Sequence, residues 1–185
     1  MNKFDPIELL GASGMYINNC LDDAESLLLI TKNKQWREDL RANGQRIGHQ
    51  CSVNETDEEY NIIHSAMLKA AGIFLDSTNR SINDYEKVYN FYKIFKWETP
   101  MDNMAPHADS WFVDGELVVP DITLVMYFTG DFEGGELSFV DLNKSIKPES
   151  GDIVVFDSTT LHGVEPVLSG RRITTQLFLK KIAND

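Results

Sequence analysis

"PESGDIVVFDSTTLHGVEPVLSGRRITTQLFLKK", residues 148–181, decides how this chain is read. Two runs rich in β-branched and aromatic residues, "DIVVFD" and "RITTQLFLKK", follow the turn clusters "PESGD" and "LSGRR" respectively. Short apolar runs punctuated in this way predict strands, not helices. His162 follows the first run and Arg172 opens the second, so each is expected at the end of a strand.

The same rhythm extends upstream to about Tyr89. "VYNFYKIFKW", "ELVVPDITLVMYF", "ELSFV" and "SIKP" are separated by "TPMDN" and "TGDFEGG". Many short strands of this kind predict an antiparallel double-sheet barrel, a double-stranded β-helix of the jelly-roll or cupin-like type. Before Tyr89 the pattern is helical. "TDEEYNIIHSAMLKAAGIFLDST" repeats Ile63, Met67, Ala70, Ala71 and Phe74 at helical spacing behind a Thr56–Glu59 capping-box pair. "LDDAESLLLITKNKQW" sets acids ahead of Leu27, Leu28 and Ile30 and predicts a second helix. Between them, "RANGQRIGHQCSVN" reads as a loop or hairpin. The expected fold is mainly β with N-terminal helices (α+β), in one domain over 1–185. Residues 1–88 are expected as mostly helical support and lid, and 89–185 as the jelly-roll core. "RANGQRIGHQCSVN" and "ETPMDNMAP" are the candidate lids.

Composition narrows the partners. The 185 residues, 42% hydrophobic and 25% charged, are those of an ordinary globular protein, and no apolar run approaches a membrane span. The opening "MNKFDPIELLGASGMY" does not read as a secretory signal. Seventeen Lys and Arg against 29 Asp and Glu give a net charge of −12. A nucleic-acid binder normally shows a basic stripe, so neither nucleic acid nor membrane is expected as a partner, and a neutral or basic one fits better. Cys20 and Cys51 fit no disulfide framework or zinc pattern, and a cytoplasmic setting is expected.

The chemistry rests on few residues. Of the four histidines, His64 sits in the long helix and His49 in the Gly-rich loop, both read as structural. In "NMAPHADSWF", His107 and Asp109 stand two apart, and on an extended segment such residues share a side. His-x-Asp alone is weak. With His162 it becomes two imidazoles and one carboxylate, the facial set of non-haem Fe(II) oxygenases, which leaves room for a co-substrate and dioxygen. Arg172, ten residues beyond His162, can grip a carboxylate in bidentate fashion. Arg171 would point away from it. Tyr127 and Thr174 are candidates to reach the same carboxylate, while Ser110 and Trp111 are placed at the substrate mouth.

Taken together, "PHADS", "VMYFTGDFEGGELSF", "PESGDIVVFDSTTLHGVEPVLSGRR" and "TTQLFL" resemble the prolyl 4-hydroxylase-like branch of the Fe(II)/2-oxoglutarate-dependent dioxygenases. The resemblance covers roughly the C-terminal half. It implies an iron-binding oxidoreductase with Fe(II) held by His107, Asp109 and His162. It further implies 2-oxoglutarate as co-substrate, its distal carboxylate on Arg172 with Tyr127 beside it, and ascorbate as an accessory cofactor. Phe178 falls where the family often has an aromatic, which favours Arg172 over Arg171. Where the family frequently has a tyrosine on the co-substrate, this chain has Trp97, whose N–H donates but cannot accept. A shifted register would put Tyr92 there instead. The implied reaction is hydroxylation of an unactivated C–H bond with O2, releasing succinate and CO2, on a prolyl residue of a peptide or protein. A free amino acid or small molecule, another side chain, and a non-catalytic cupin-like binding module are the alternatives. A nucleic-acid base demethylase would carry its arginines at the places that Leu168 and Thr174 occupy in this chain.

Overall fold

The computed structural model describes residues 5–9, 13–21, 34–40, 46–98 and 103–183. In chain order these form β1 (Asp5–Leu9), β2 (Gly14–Asn18), β3 (Arg37–Leu40), β4 (Arg46–Asn54), helix α1 (Glu58–Ser77), β5 (Tyr85–Lys87) and β6 (Phe91–Trp97). Then follow β7 (Met104–His107), β8 (Trp111–Val113), β9 (Glu116–Val118), β10 (Ile122–Tyr127), β11 (Glu133–Gly134) and β12 (Leu137–Phe139). The last are β13 (Lys144–Ile146), β14 (Ile153–Asp157), β15 (His162–Val164), β16 (Val167–Ser169) and β17 (Arg172–Lys181).

Every pairing among these strands is antiparallel. The large sheet runs β1-β2-β14-β10-β17-β6-β4-β3, with β5 on β17, and the small sheet runs β13-β12-β15-β7. This is the mostly β, jelly-roll arrangement expected, except that the sheets face each other without closing into a barrel.

Side chains of the central strands sort by a period of two. Ile122, Leu124 and Met126 of β10, Ile173, Leu177 and Leu179 of β17, and Tyr92 and Ile94 of β6 share one core with α1. That helix buries Ile63, Met67, Ala70, Ala71, Phe74 and Leu75 against it, on the spacing read in the sequence. The opposite face of the same strands supplies Val125, Tyr127 and Trp97, which pack with Leu137, Phe139 and Val164 of the small sheet. The second core lies between the sheets, and the candidate site opens beside it.

Three expectations change. Of residues 41–54, read as a loop or hairpin, the described part 46–54 is strand β4, which pairs back on β3, with Cys51 and Val53 alternating into the core opposite Ile94 and Tyr92. Gly48 within β4 is a place of close approach and not a turn signal: a Cβ there would stand 2.7 Å from Trp97 Cδ1. Residues 1–88 accordingly add β1–β5 to the large sheet beside the one described helix, α1. The helix read at "LDDAESLLLITKNKQW" falls mostly outside the described residues, as do residues 41–45 and 99–102 of the candidate lids. Finally, the Thr56–Glu59 capping box does not form. Asp57 holds the N-cap position, and its carboxylate accepts from Asn54 N–H at 2.8 Å and pairs with Lys34.

Cys20 and Cys51 are both free and buried. Burial pushes the Cys20 thiol up to about 12, with nearby Asp152 adding to the rise, and pushes Cys51 up to about 11. Thiolate is the reactive form. The folded protein should therefore leave both thiols unlabelled by Ellman's reagent at pH 8, with two equivalents appearing in guanidinium. Rapid labelling of the native protein would contradict this burial.

Candidate active site

His107 closes β7 and His162 opens β15, and the two face each other in the antiparallel register of the small sheet. The strands approach closely because Gly163 carries no side chain; a Cβ there would lie 2.9 Å from Met104 O. Asp109 sits in the turn after β7, where its N–H donates to Ser158 O at 3.0 Å. The ligand atoms of His107, Asp109 and His162 all lie within 4.8 Å of one another, the one such cluster among the described residues. Asp109 Oδ1 stands 3.7 Å from His107 Nε2 and Oδ2 3.7 Å from His162 Nε2.

The surroundings prepare these groups for a cation. His107 Nδ1 lies 2.9 Å from Ala105 O and His162 Nδ1 2.9 Å from Thr160 O. A carbonyl acceptor fixes the proton on Nδ1 and leaves Nε2 as the ligand. Phe156 lies edge-on to the His162 ring at 4.6 Å, and Phe139 stands 6.4 Å away. Burial holds His162 below its usual pKa, opposed by the Asp109 charge, and so keeps the neutral, metal-binding form into mildly acid solution.

Thr123 has no sequence signal of its own, being one threonine in an apolar strand. In the structure its Oγ1 donates to Asp109 Oδ2 at 2.6 Å and lies 2.7 Å from Ser158 Oγ. All three residues are buried. With Oδ2 so engaged, Oδ1 is the freer oxygen for a cation.

Arg172, 3% exposed, opens β17 on the same face. Its Nε donates to Gly135 O at 2.9 Å, Nη2 to Tyr127 Oη at 2.9 Å, and Nη1 weakly to Thr174 Oγ1 at 3.4 Å. The Trp97 and Tyr127 rings flank the guanidinium, at 5.2 and 4.9 Å. Among the described residues no carboxylate pairs with it, and of its five N–H groups two keep no protein acceptor. Burial raises the Tyr127 pKa, opposed by Arg172, so the phenol keeps its proton and can donate it into the pocket.

Arg172, Thr174, Trp97, His107 and His162 line one narrow cavity of about 50 Å³. Tyr127 is buried at its edge and reaches it through Arg172. Trp97, not Tyr92, lines this cavity: Tyr92 faces the other core, where its hydroxyl meets His64 Nδ1 at 2.7 Å. The Trp97 indole N–H is buried without an acceptor among the described residues. His49, paired with Lys96, lies on the opposite face from Trp97. Arg171 and Leu168 are exposed.

A bridge to a ligand carboxylate is worth roughly tenfold or more in metal affinity. Thr123→Val should therefore weaken Mn(II) or Co(II) binding by about tenfold while leaving the melting temperature of the metal-free protein within a few degrees. An unchanged affinity by calorimetric titration would remove Thr123 from the site.

Comparison with known proteins agrees with this geometry. Residues 92–180 match the family described as the 2OG-Fe(II) oxygenase superfamily. A PKHD-type hydroxylase of Saccharophagus degradans is 35% identical over 68 residues, 35% of this chain and 30% of that protein. One from Prochlorococcus marinus is 30% identical over 113 residues, 60% of this chain and 50% of that protein. The chain thus spans half or less of the length of these curated relatives. The crystal structure of a viral collagen prolyl hydroxylase from Paramecium Bursaria Chlorella virus-1, in complex with 2OG, superposes with a TM-score of 0.68. That alignment is 22% identical and covers 92% of this chain and 97% of the other, which shows a shared fold. Residues 92–180 of this chain are thus similar to the 2OG-Fe(II) oxygenase superfamily.

Proposed function

We propose that this chain hydroxylates an unactivated C–H bond in a peptide or protein, a prolyl residue first among them, using Fe(II), 2-oxoglutarate and O2. The observation that carries the reading is the buried Arg172 guanidinium, which lacks a carboxylate partner among the described residues and shares a cavity with the His107–Asp109–His162 cluster. A buried charge left unpaired is costly, and an anion entering that cavity would offset the cost. A dicarboxylic 2-oxo acid meets both requirements, with one end at the cation and the other at Arg172.

The bound metal and co-substrate supply the oxidising chemistry: 2-oxoglutarate becomes succinate and CO2, and one oxygen atom of O2 enters the substrate. The protein's own share is positional. His107, Asp109 and His162 hold the cation, with both imidazoles locked by their backbone acceptors. Arg172 and Thr174 grip the distal carboxylate, and Tyr127 can add its hydroxyl proton. Val125, Leu137 and Val164 wall the pocket against water. Ascorbate belongs to the same proposal as an accessory reductant.

A peptide or protein is favoured over a small molecule by the β8–β9 hairpin. Trp111 lines the mouth, while Phe112 and Leu117, 73% and 57% exposed, present an apolar surface outside the cavity. A small molecule held within the cavity would leave that surface bare.

Anaerobic addition of Fe(II) and 2-oxoglutarate should produce a weak visible charge-transfer band, absent in His107→Ala and His162→Ala. Arg172→Ala should weaken 2-oxoglutarate binding at least tenfold, since a hydrogen bond to a charged group is worth roughly 1.5–3 kcal/mol. If the wild type gives no band and 2-oxoglutarate does not raise its melting temperature, the proposal fails. Mass spectrometry of candidate peptides after aerobic turnover should show the gain of one oxygen atom.

A further inference from the structure

Phe95 and Gln176 line the narrow cavity on one side and a second, wider one on the other. The wider cavity, about 310 Å³, is otherwise lined by Tyr89, Phe91, Lys93, Trp111 and Phe178. Its position follows from strand period. Along β17, Arg172, Thr174, Gln176 and Phe178 fall on one face, so the strand leads from the carboxylate anchor into this cavity. On β6, Trp97, Phe95, Lys93 and Phe91 do the same. The aromatic wall is knitted together: Tyr89 stacks on Trp111 at 5.6 Å, Trp111 meets Phe178 at 4.8 Å, and Tyr89 meets Phe91 at 5.2 Å.

Within this apolar wall Lys93 is the one charged side chain. It is exposed, and among the described residues its ammonium forms neither an ion pair nor a ring contact. Asp39 on β3 feels its charge, but that carboxylate accepts from Gln50 Nε2 at 2.9 Å. A neutral apolar peptide would need the rings and not the lysine. A cationic one would meet the lysine's repulsion at short range. An acidic one satisfies both.

We infer that the wider cavity is the substrate subsite and that Lys93 selects a peptide carrying a carboxylate beside the apolar residue that packs on Tyr89, Trp111 and Phe178. The inference rests on the proposed hydroxylase reading for its place in a reaction, though not for its binding chemistry. The net charge of −12 opposes it only at long range. At physiological salt that field decays over about 8 Å, whereas a contact pair in a half-enclosed cavity is screened less.

Capped pentapeptides holding one Phe and one Pro, with a single Glu walked through the other three positions, provide the probe. Gln and Lys counterparts at each position provide the comparison, and tryptophan fluorescence of the protein with Mn(II) and 2-oxoglutarate reads binding. At one position at least, Glu should bind tenfold or more tightly than Gln. Lys93→Met should abolish that preference, and Lys93→Glu should turn it toward Lys, both with unchanged melting temperature. Equal binding of Glu and Gln at all three positions, or a preference that survives Lys93→Met, overturns the inference. A preference found in a protein that gives no Fe(II)–2-oxoglutarate band would instead sink the hydroxylase reading and leave the subsite standing. A band without a preference would do the reverse.

Discussion

The two-residue period of the large sheet is the constraint on which the molecule depends. In β17, Ile173, Leu177 and Leu179 seal the core under α1, while Arg172, Thr174, Gln176 and Phe178 build the wall of the site. The partners agree: Arg172 stands opposite Trp97, Thr174 opposite Phe95 on one side and Tyr127 on the other. A slip of one residue would drive the guanidinium into the aliphatic core and turn three aliphatic side chains into the site. Fold and site are therefore specified by the same alternation, one strand face each. The aliphatic face enforces the register that the polar face needs, since each large aliphatic side chain contributes roughly 1.5–3 kcal/mol on burial.

Burying Arg172 at 3% exposure is the chief electrostatic cost of that arrangement. Gly135 O, Tyr127 Oη and the rings of Trp97 and Tyr127 offset part of it. They do so without neutralising the charge, because each is an uncharged dipole or a π face. A carboxylate partner from the protein would have been the cheaper solution for stability. Its absence among the described residues leaves a positive charge fixed inside a chain whose sequence is strongly acidic, and the unpartnered Trp97 N–H lies in the same wall.

Much of this was legible because the informative residues are chemically rare. Four histidines in 185 residues, two of them in His-x-Asp and His-x-Val-x-Pro contexts, narrow a metal cluster to few combinations. Strands β6, β10, β14 and β17 declared themselves by runs of β-branched and aromatic residues between turns. The N-terminal strands did not. In β4 the alternation is interrupted by Gly48, placed for the Trp97 ring, and glycine in that context reads as a turn. Thr56 and Glu59 had the right spacing for a capping box, but the chain entering from β4 brings Asp57 to the N-cap instead, a tertiary effect that a local motif does not contain. Thr123 was silent for a different reason: its role exists only because Asp109 and Ser158, distant in sequence, close around it.

Charge is distributed in opposite senses outside and inside. The 29 acids dominate the sequence as a whole, yet Arg172 lines the narrow cavity and Lys93 the wide one, and the acid of the site, Asp109, sits at the metal cluster beyond them. Net charge acts at a distance, where salt damps it; the buried Arg172 guanidinium acts at contact, where the lower dielectric strengthens it. The bulk −12 therefore describes the long-range field of the chain and is a poor guide to what the cavities accept. A reading of partners from composition alone points to neutral or basic molecules. The inner faces of β6 and β17 carry Lys93 and Arg172, the two cations on which the proposed preference for anions rests.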